Sequence, residues 1–192
     1  MTNLFYTLFP SDFGIFGIIW QQPPSGLRIH RVLLPGDQSQ IKTLIHHLYP
    51  HCTPSFCSPI DNLGKTIIYY FKGASYSFSL QSLAWDQCSS FQKQVLLAEY
   101  NVPRGCVTTY GRIAAYLKLP GGARAVGGAL AHNPFPIIIP CHRTIRSSGD
   151  LGGFGGEFPR FSHKENLKQI LLTLEGVTVS SQGKVVNPTF YY

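Results

Sequence analysis

Hydrophobic periodicity changes once along this chain, near Trp85, and that change constrains the fold more than any other feature. Before it, apolar residues come in short runs and alternations. Phe13 to Trp20 is an apolar run, and Leu27-Arg28-Ile29-His30-Arg31-Val32-Leu33 alternates apolar with polar, the signature of a half-buried strand. Pro23-Pro24-Ser25-Gly26 between them is turn chemistry and predicts a hairpin. Asp37 precedes Ile41, Leu44, Ile45 and Leu48 at helical spacing, so a short helix is predicted there. Pro50 to Pro59 reads as a loop. Thr66 to Phe71 and Ser75 to Leu80 read as a second hairpin around Lys72-Gly73.

After Trp85 the period is helical. Ser89 followed by Gln92 is a capping-box pattern opening a helix that stops before Pro103. Thr109 caps a second helix with Tyr110, Ile113, Ala114 and Leu117 on one face, broken at Leu119-Pro120-Gly121-Gly122. A third helix, Ala123 to Ala131, ends at His132-Asn133-Pro134, because the residue before a proline is pushed out of the helical region. The expected fold class is α+β: a small N-terminal α+β domain over residues 1–87 and a mostly helical domain over residues 88–192.

The last two helices, joined by a short Gly-containing turn, form a helix-turn-helix candidate. The second is almost all small residues, and Gly127 and Gly128 inside it cost about 1 kcal/mol each relative to alanine. That cost suggests close approach of another backbone, protein or nucleic acid. Arg124 is its one charge, placed in the first turn, where free N–H groups also favour a phosphate.

Charge points the same way. The chain carries +7, distributed unevenly: residues 1–87 hold five Lys/Arg against four Asp/Glu, and residues 88–192 hold eleven against five. A basic domain suits a polyanion, although a solvated basic surface is the plain alternative. At 44% hydrophobic and 13% charged the composition is globular. No apolar run approaches the roughly 20 residues needed to span a bilayer. Met1-Thr2-Asn3 does not read as a signal peptide, so a cytoplasmic location is expected. Five cysteines without a framework spacing read as free thiols. His46, His47, His51, Cys52 and Cys57 fit no common zinc spacing, and no metal is expected.

Cys141 departs from the ordinary buried cysteine. Pro136-Ile137-Ile138-Ile139-Pro140 reads as a buried strand delivering it to a chain end, and His142 and Arg143 follow. A thiol attacks as thiolate, which basic and cationic neighbours favour. The stretch Gly149 to Gly156 beyond it suits close approach to a ligand, but no Gly-Lys-Ser/Thr follows to make it a nucleotide-phosphate loop. A cysteine hydrolase is disfavoured, since the motif order offers no oxyanion hole.

Five ordered stretches over residues 89 to 179 resemble the O6-alkylguanine-DNA alkyltransferases, or methylated-DNA–protein-cysteine methyltransferases. They are Val102-Pro103-Arg104-Gly105 with Thr109-Tyr110-Gly111, Ala123-Arg124-Ala125-Val126-Gly127, Asn133-Pro134, Ile139-Pro140-Cys141-His142-Arg143, and Leu171-Leu172 with Glu175-Gly176. The resemblance implies a ribonuclease H-like N-terminal domain, a helix-turn-helix in the second, and a monomer acting without a cofactor on double-stranded DNA that contains O6-alkylguanine. It implies that Cys141 takes the alkyl group irreversibly, once, from guanine O6, with thymine O4 left open. His142 would draw the thiol proton through a water, and Glu175 would orient His142. Tyr110 would rotate the 3′ phosphate and lend a proton to the leaving oxygen. Arg124 would fill the hole left by the flipped nucleotide, working from the minor groove. Asn133 would brace the turn, and Thr144, Leu151, Gly152, Phe154, Gly155 and Gly156 would line the base site. Phe154-Gly155 stands where the family often has a tyrosine and a small residue. Residues 157–166 form a longer link than usual. A damage-binding relative without repair activity is the alternative, and such relatives lack the cysteine.

Overall fold

Glycine and proline set the strand ends of the first half. A computed structural model describes residues 3–154 and 164–192, the side chains of residues 164–166 excepted. Strands β1 (Phe5–Ser11), β2 (Gly14–Gln21) and β3 (Arg28–Gly36) form an antiparallel meander, and the short β4 (Thr53–Pro54) adds in parallel, giving the order β3-β2-β1-β4. Gly14, at φ +107°, carries the tight turn between β1 and β2; a side chain there would also strike the Gly36 carbonyl. Because β2 is central, residues on both its faces are buried, which explains the unbroken run Phe16–Trp20.

Helix α1 (Gln38–Leu48) begins as the sequence indicates. Asp37 caps it, accepting from Ser39 N at 2.8 Å, and Ile41 and Ile45 are fully buried. The next element corrects a sequence expectation. Thr66–Phe71 is not a strand but the end of helix α2 (Ser58–Phe71), and residues 75–80 take no regular structure. The Thr-Ile-Ile-Tyr-Tyr-Phe run has strand propensity, yet Ile60, Gly64, Ile67 and Phe71 fall on one helical stripe and are buried together. Gly64 is required there, because a Cβ would overlap the Phe9 ring. Pro134–Pro136 also belong to this unit: Val32 N donates to Pro134 O at 2.9 Å, and Phe135, fully buried, meets the Trp85 ring edge-on.

Among the described residues, the second unit, Cys88–Asn133 with Ile137–Tyr192, contains four α-helices. These are α3 (Ser90–Tyr100), α4 (Tyr110–Tyr116), α5 (Ala123–Ala131) and α6 (Lys164–Leu174). A two-stranded parallel ladder, β5 (Thr108–Thr109) with β6 (Thr144–Ile145), lies among them. Ser89 and Thr109 cap α3 and α4, accepting from Gln92 N (3.1 Å) and Arg112 N (3.2 Å). The Gln92 side chain crosses to the end of α5, donating to Ala129 O and His132 O at 3.3 and 3.0 Å. It thereby occupies orphan carbonyls of a helix terminus. Val107, Ile145, Leu172, Val177 and Val185 form an apolar cluster beneath the ladder, with Leu151 packed on it. No described helix is long and apolar enough to cross a membrane.

Candidate active site around Cys141

The approach to Cys141 is a turn, which corrects the buried-strand expectation. Ile137, Ile138 and Ile139 are buried, but Ile137 sits at φ +74°, a region a β-branched residue enters only when its surroundings force it. An apolar run looks alike from either structure, so the sequence pattern could not separate them. Cys141–Arg143 then make a single 3-10 turn, Arg143 N donating to Pro140 O at 2.8 Å.

Asn133, just past α5 and 7% exposed, donates from Nδ2 to Ile139 O at 3.0 Å and to Cys141 Sγ at 3.2 Å. One amide thus fixes the approach turn and touches the thiol. Burial pushes the Cys141 thiol up to about 11, with the Asn133 hydrogen bond pulling the other way. At neutral pH the sulfur is protonated, and nucleophilic use requires a base.

His142 is fully buried, and its Nε2 lies 3.2 Å from Glu175 Oε1. An ionised carboxylate only accepts, so Nε2 carries the proton and Nδ1 is the accepting nitrogen. Burial holds the imidazole below its usual value, and Glu175 works against that shift. Glu175 is held far below the usual carboxylate range despite its burial, because Arg143 and His142 both donate to it. Arg143 grips it with Nε to Oε2 at 2.8 Å and Nη2 to Oε1 at 2.6 Å, while Nη1 reaches Val102 O at 2.5 Å. The bidentate fork locks the carboxylate that orients the histidine. This clamp was not foreseen: Arg143 adjoins the histidine in sequence, but nothing local announces that its partner is the end of α6.

The remaining residues fall on three sides. Tyr110 opens α4; its hydroxyl lies against Gly152, where a Cβ would come within 3.4 Å of it, and burial raises its pKa. Gly152, at φ +72°, lets the loop pass at that distance. The Phe154 ring meets His142 edge-on at 6.3 Å between centroids. Arg124, in the first turn of α5, is exposed. Among the described residues, a Cβ on Gly128 would meet nothing within 4 Å. Thr144 is fully buried, its hydroxyl donating to Glu99. Gly155 and Gly156, and the longer link as far as residue 163, lie outside the described residues.

Two buried ionisable residues near the thiol were also not foreseen. Glu99 of α3 and Lys168 of α6 are each 0% exposed. The sign was available: Glu99 falls three and four residues after Leu96 and Val95, and Lys168 the same distances before Leu171 and Leu172, so each is a charge on an apolar stripe. No described group of His, Cys, Asp and Glu could hold a metal ion.

The profile of the family described as "6-O-methylguanine DNA methyltransferase, DNA binding domain" matches residues 90–177. A methylated-DNA–protein-cysteine methyltransferase of Methanothermobacter thermautotrophicus is 38% identical over 123 residues, which cover 64% of this chain and 65% of that protein. The same-named protein of Mycolicibacterium paratuberculosis is 40% identical over 121 residues, covering 63% and 66%. The match therefore spans just under two thirds of these relatives' own length. Among solved structures, Mycobacterium tuberculosis OGT in complex with DNA aligns over 89% of this chain and 92% of its own, at 32% identity and a TM-score of 0.64. The O6-methylguanine-DNA methyltransferase of Pyrococcus kodakaraensis aligns over 91% and 99%, at 27% identity and a TM-score of 0.65. The chain belongs to the methylated-DNA–protein-cysteine methyltransferase family.

Proposed function

We propose that this protein repairs alkylated double-stranded DNA by moving a methyl or small alkyl group from guanine O6 to Cys141, once per molecule. The observation that carries the reading is the arrangement around the sulfur: Asn133 donates to Cys141 Sγ at 3.2 Å, and a buried His142, oriented by Glu175, follows directly. A protonated thiol beside a neutral, oriented imidazole is a nucleophile with its base. In the transfer the Sγ–C bond forms as the C–O6 bond breaks. The thiol proton passes to His142, Tyr110 gives its own proton to the departing guanine, and the proton on His142 returns through solvent to the Tyr110 phenolate, so no net proton is gained or lost. The thioether product has no leaving group better than the one lost, so the reaction ends there.

DNA engages the second unit in this reading. Helices α4 and α5 act as a helix-turn-helix, α5 enters the minor groove with its small-residue face, and Arg124 takes the place of the extruded nucleotide. Leu151, Gly152, Phe154, Gly155 and Gly156 form the wall of the base pocket. The net positive charge of residues 88–192 supplies salt-sensitive phosphate affinity. The first unit is ribonuclease H-like, and the protein works as a monomer without a cofactor.

Mass spectrometry after incubation with duplex DNA containing O6-methylguanine tests the reading. The expected result is one methyl group on Cys141, stoichiometric with protein and absent from Cys141→Ala. Multiple turnover, or methylation of another cysteine, would overturn it.

A further inference from the structure

The transfer scheme uses His142 and Glu175 but leaves a second buried ionisable cluster unused. Glu99, Thr144 and Lys168 are each 0% exposed and come from three elements, α3, β6 and α6. The Thr144 hydroxyl donates to Glu99 Oε2, and Lys168 Nζ donates to the Thr144 carbonyl at 2.7 Å and to Gly153 O at 3.5 Å. One residue, three positions past the nucleophile, therefore takes a carboxyl on its side chain and an ammonium on its backbone. Glu99 Oε1 has no hydrogen-bond partner among the described residues. A buried carboxylate so poorly satisfied costs more than a structural ion pair needs to.

We infer that Glu99 is a positioning residue for the nucleophile: through Thr144 and Lys168, its proton state decides whether the Lys168 charge is neutralised by a carboxylate or left to favour the Cys141 thiolate. The inference rests on Cys141 being the alkyl acceptor, but it concerns the thiol's reactivity and can be read without DNA. The electrostatics agree in sign. Burial pushes the Glu99 carboxyl up to about 7, with Thr144, Lys168 and Arg143 pulling it down and Glu175 adding to the rise. Burial brings Lys168 down to about 8, opposed by Cys141 and Glu99 and assisted by Arg146. At the sulfur, Glu99 raises the thiol and Lys168 lowers it. Of the elements packed on α3, the Cys141–Arg143 turn brings the nucleophile, His142 and Arg143, α4 brings Tyr110, whose phenol Glu99 also raises, and the exposed Arg112, and α5 brings the exposed Arg124.

The test is the pH dependence of iodoacetamide labelling at Cys141 in the full chain, read by peptide mass spectrometry, alongside single-turnover methyl transfer. In the wild type, ionisation of Glu99 near neutral pH should blunt the rise in labelling. Glu99→Gln fixes the neutral form. It should match wild type below about pH 6 and label roughly 3- to 10-fold faster at about pH 7.5, where Lys168 still carries its charge, the effect of half to one pKa unit on the thiol. Thr144→Val removes a donor to the carboxylate, so the inflection should move to higher pH; this variant decides the matter if Glu99→Gln does not fold. A Glu99→Gln profile that is unchanged, or slowed equally at every pH, would overturn the inference, as would an inflection that Thr144→Val leaves in place. Should labelling follow Glu99 while no methyl is transferred, the inference holds and the repair reading fails.

Discussion

Asn133 Nδ2 donates to Cys141 Sγ at 3.2 Å and to Ile139 O at 3.0 Å, so one side chain just past α5 fixes both the approach turn and the nucleophile. An amide donor favours the thiolate over the thiol, whose ionisation burial otherwise opposes. Asn133→Ala should slow iodoacetamide labelling of Cys141 at neutral pH by roughly fivefold or more, the worth of about 1 kcal/mol. It should also lower thermal stability by about 1–3 kcal/mol, because the Ile139 carbonyl loses a buried partner. Labelling as fast as wild type would show that the contact does not act on the sulfur.

The Arg143–Glu175 fork predicts an acid limit to stability. Glu175 titrates far below its ordinary 4.5 in the folded protein, its burial outweighed by donation from Arg143 and His142. A carboxylate depressed on folding contributes stability that is fully present above its unfolded pKa and is lost as pH falls through the folded one. Unfolding midpoints in urea should therefore fall steadily from about pH 4.5 downward. In Glu175→Gln that part of the slope should be missing, with a penalty of about 3 kcal/mol at neutral pH from leaving Arg143 without its buried partner. Parallel wild-type and Gln curves below pH about 4.5 would contradict the assignment.

How much could be read beforehand depended on how local the signal was. Asp37, Ser89 and Thr109 announced their helices because a cap is a side-chain oxygen meeting backbone N–H groups two or three residues on. Helix α5 was legible to the residue, punctuated by Gly121-Gly122 before and Asn133-Pro134 after. Thr66–Phe71 misled because propensity and periodicity disagreed there, and burial of the Ile60–Gly64–Ile67–Phe71 stripe decided for the helix. Around the sulfur, Cys141 and His142 stood out as neighbours in sequence. The Arg143 grip on Glu175, and the meeting of Glu99 with Lys168 through Thr144, exist only once α3, α6 and the Cys141 turn are packed together. A charge on an apolar stripe signals that such a partner exists without saying which residue it is.

Gly64 supplies a prediction confined to the first unit. Alanine in a helix interior normally gains about 1 kcal/mol over glycine. At this position the Cβ would overlap the Phe9 ring, itself stacked on Phe16 at 5.1 Å between centroids. Neither ring has free space to yield, since Phe9 and Phe16 are 6% and 1% exposed. Overpacking of this kind costs about 1–3 kcal/mol, so Gly64→Ala should be net destabilising in a thermal melt. A variant as stable as wild type would mean that β1 moves away from α2 at little cost.

Arg124 separates the DNA-handling step from the chemistry. It is exposed in the first turn of α5, and it makes none of the hydrogen bonds that hold Cys141, His142 and Glu175. If it occupies the space of an extruded nucleotide, its removal raises the cost of extrusion, a matter of a few kcal/mol in a paired duplex and far less for an unpaired base. Arg124→Ala should therefore cut the single-turnover rate on duplex O6-methylguanine by roughly tenfold or more, while leaving the rate on a free O6-alkylguanine base nearly unchanged. Arg124→Lys keeps the charge but not the planar fork and should fall between the two. The ratio of duplex to free-base rates is the quantity to measure. Equal losses on both substrates would place Arg124 in the support of the nucleophile and remove it from the flipping step.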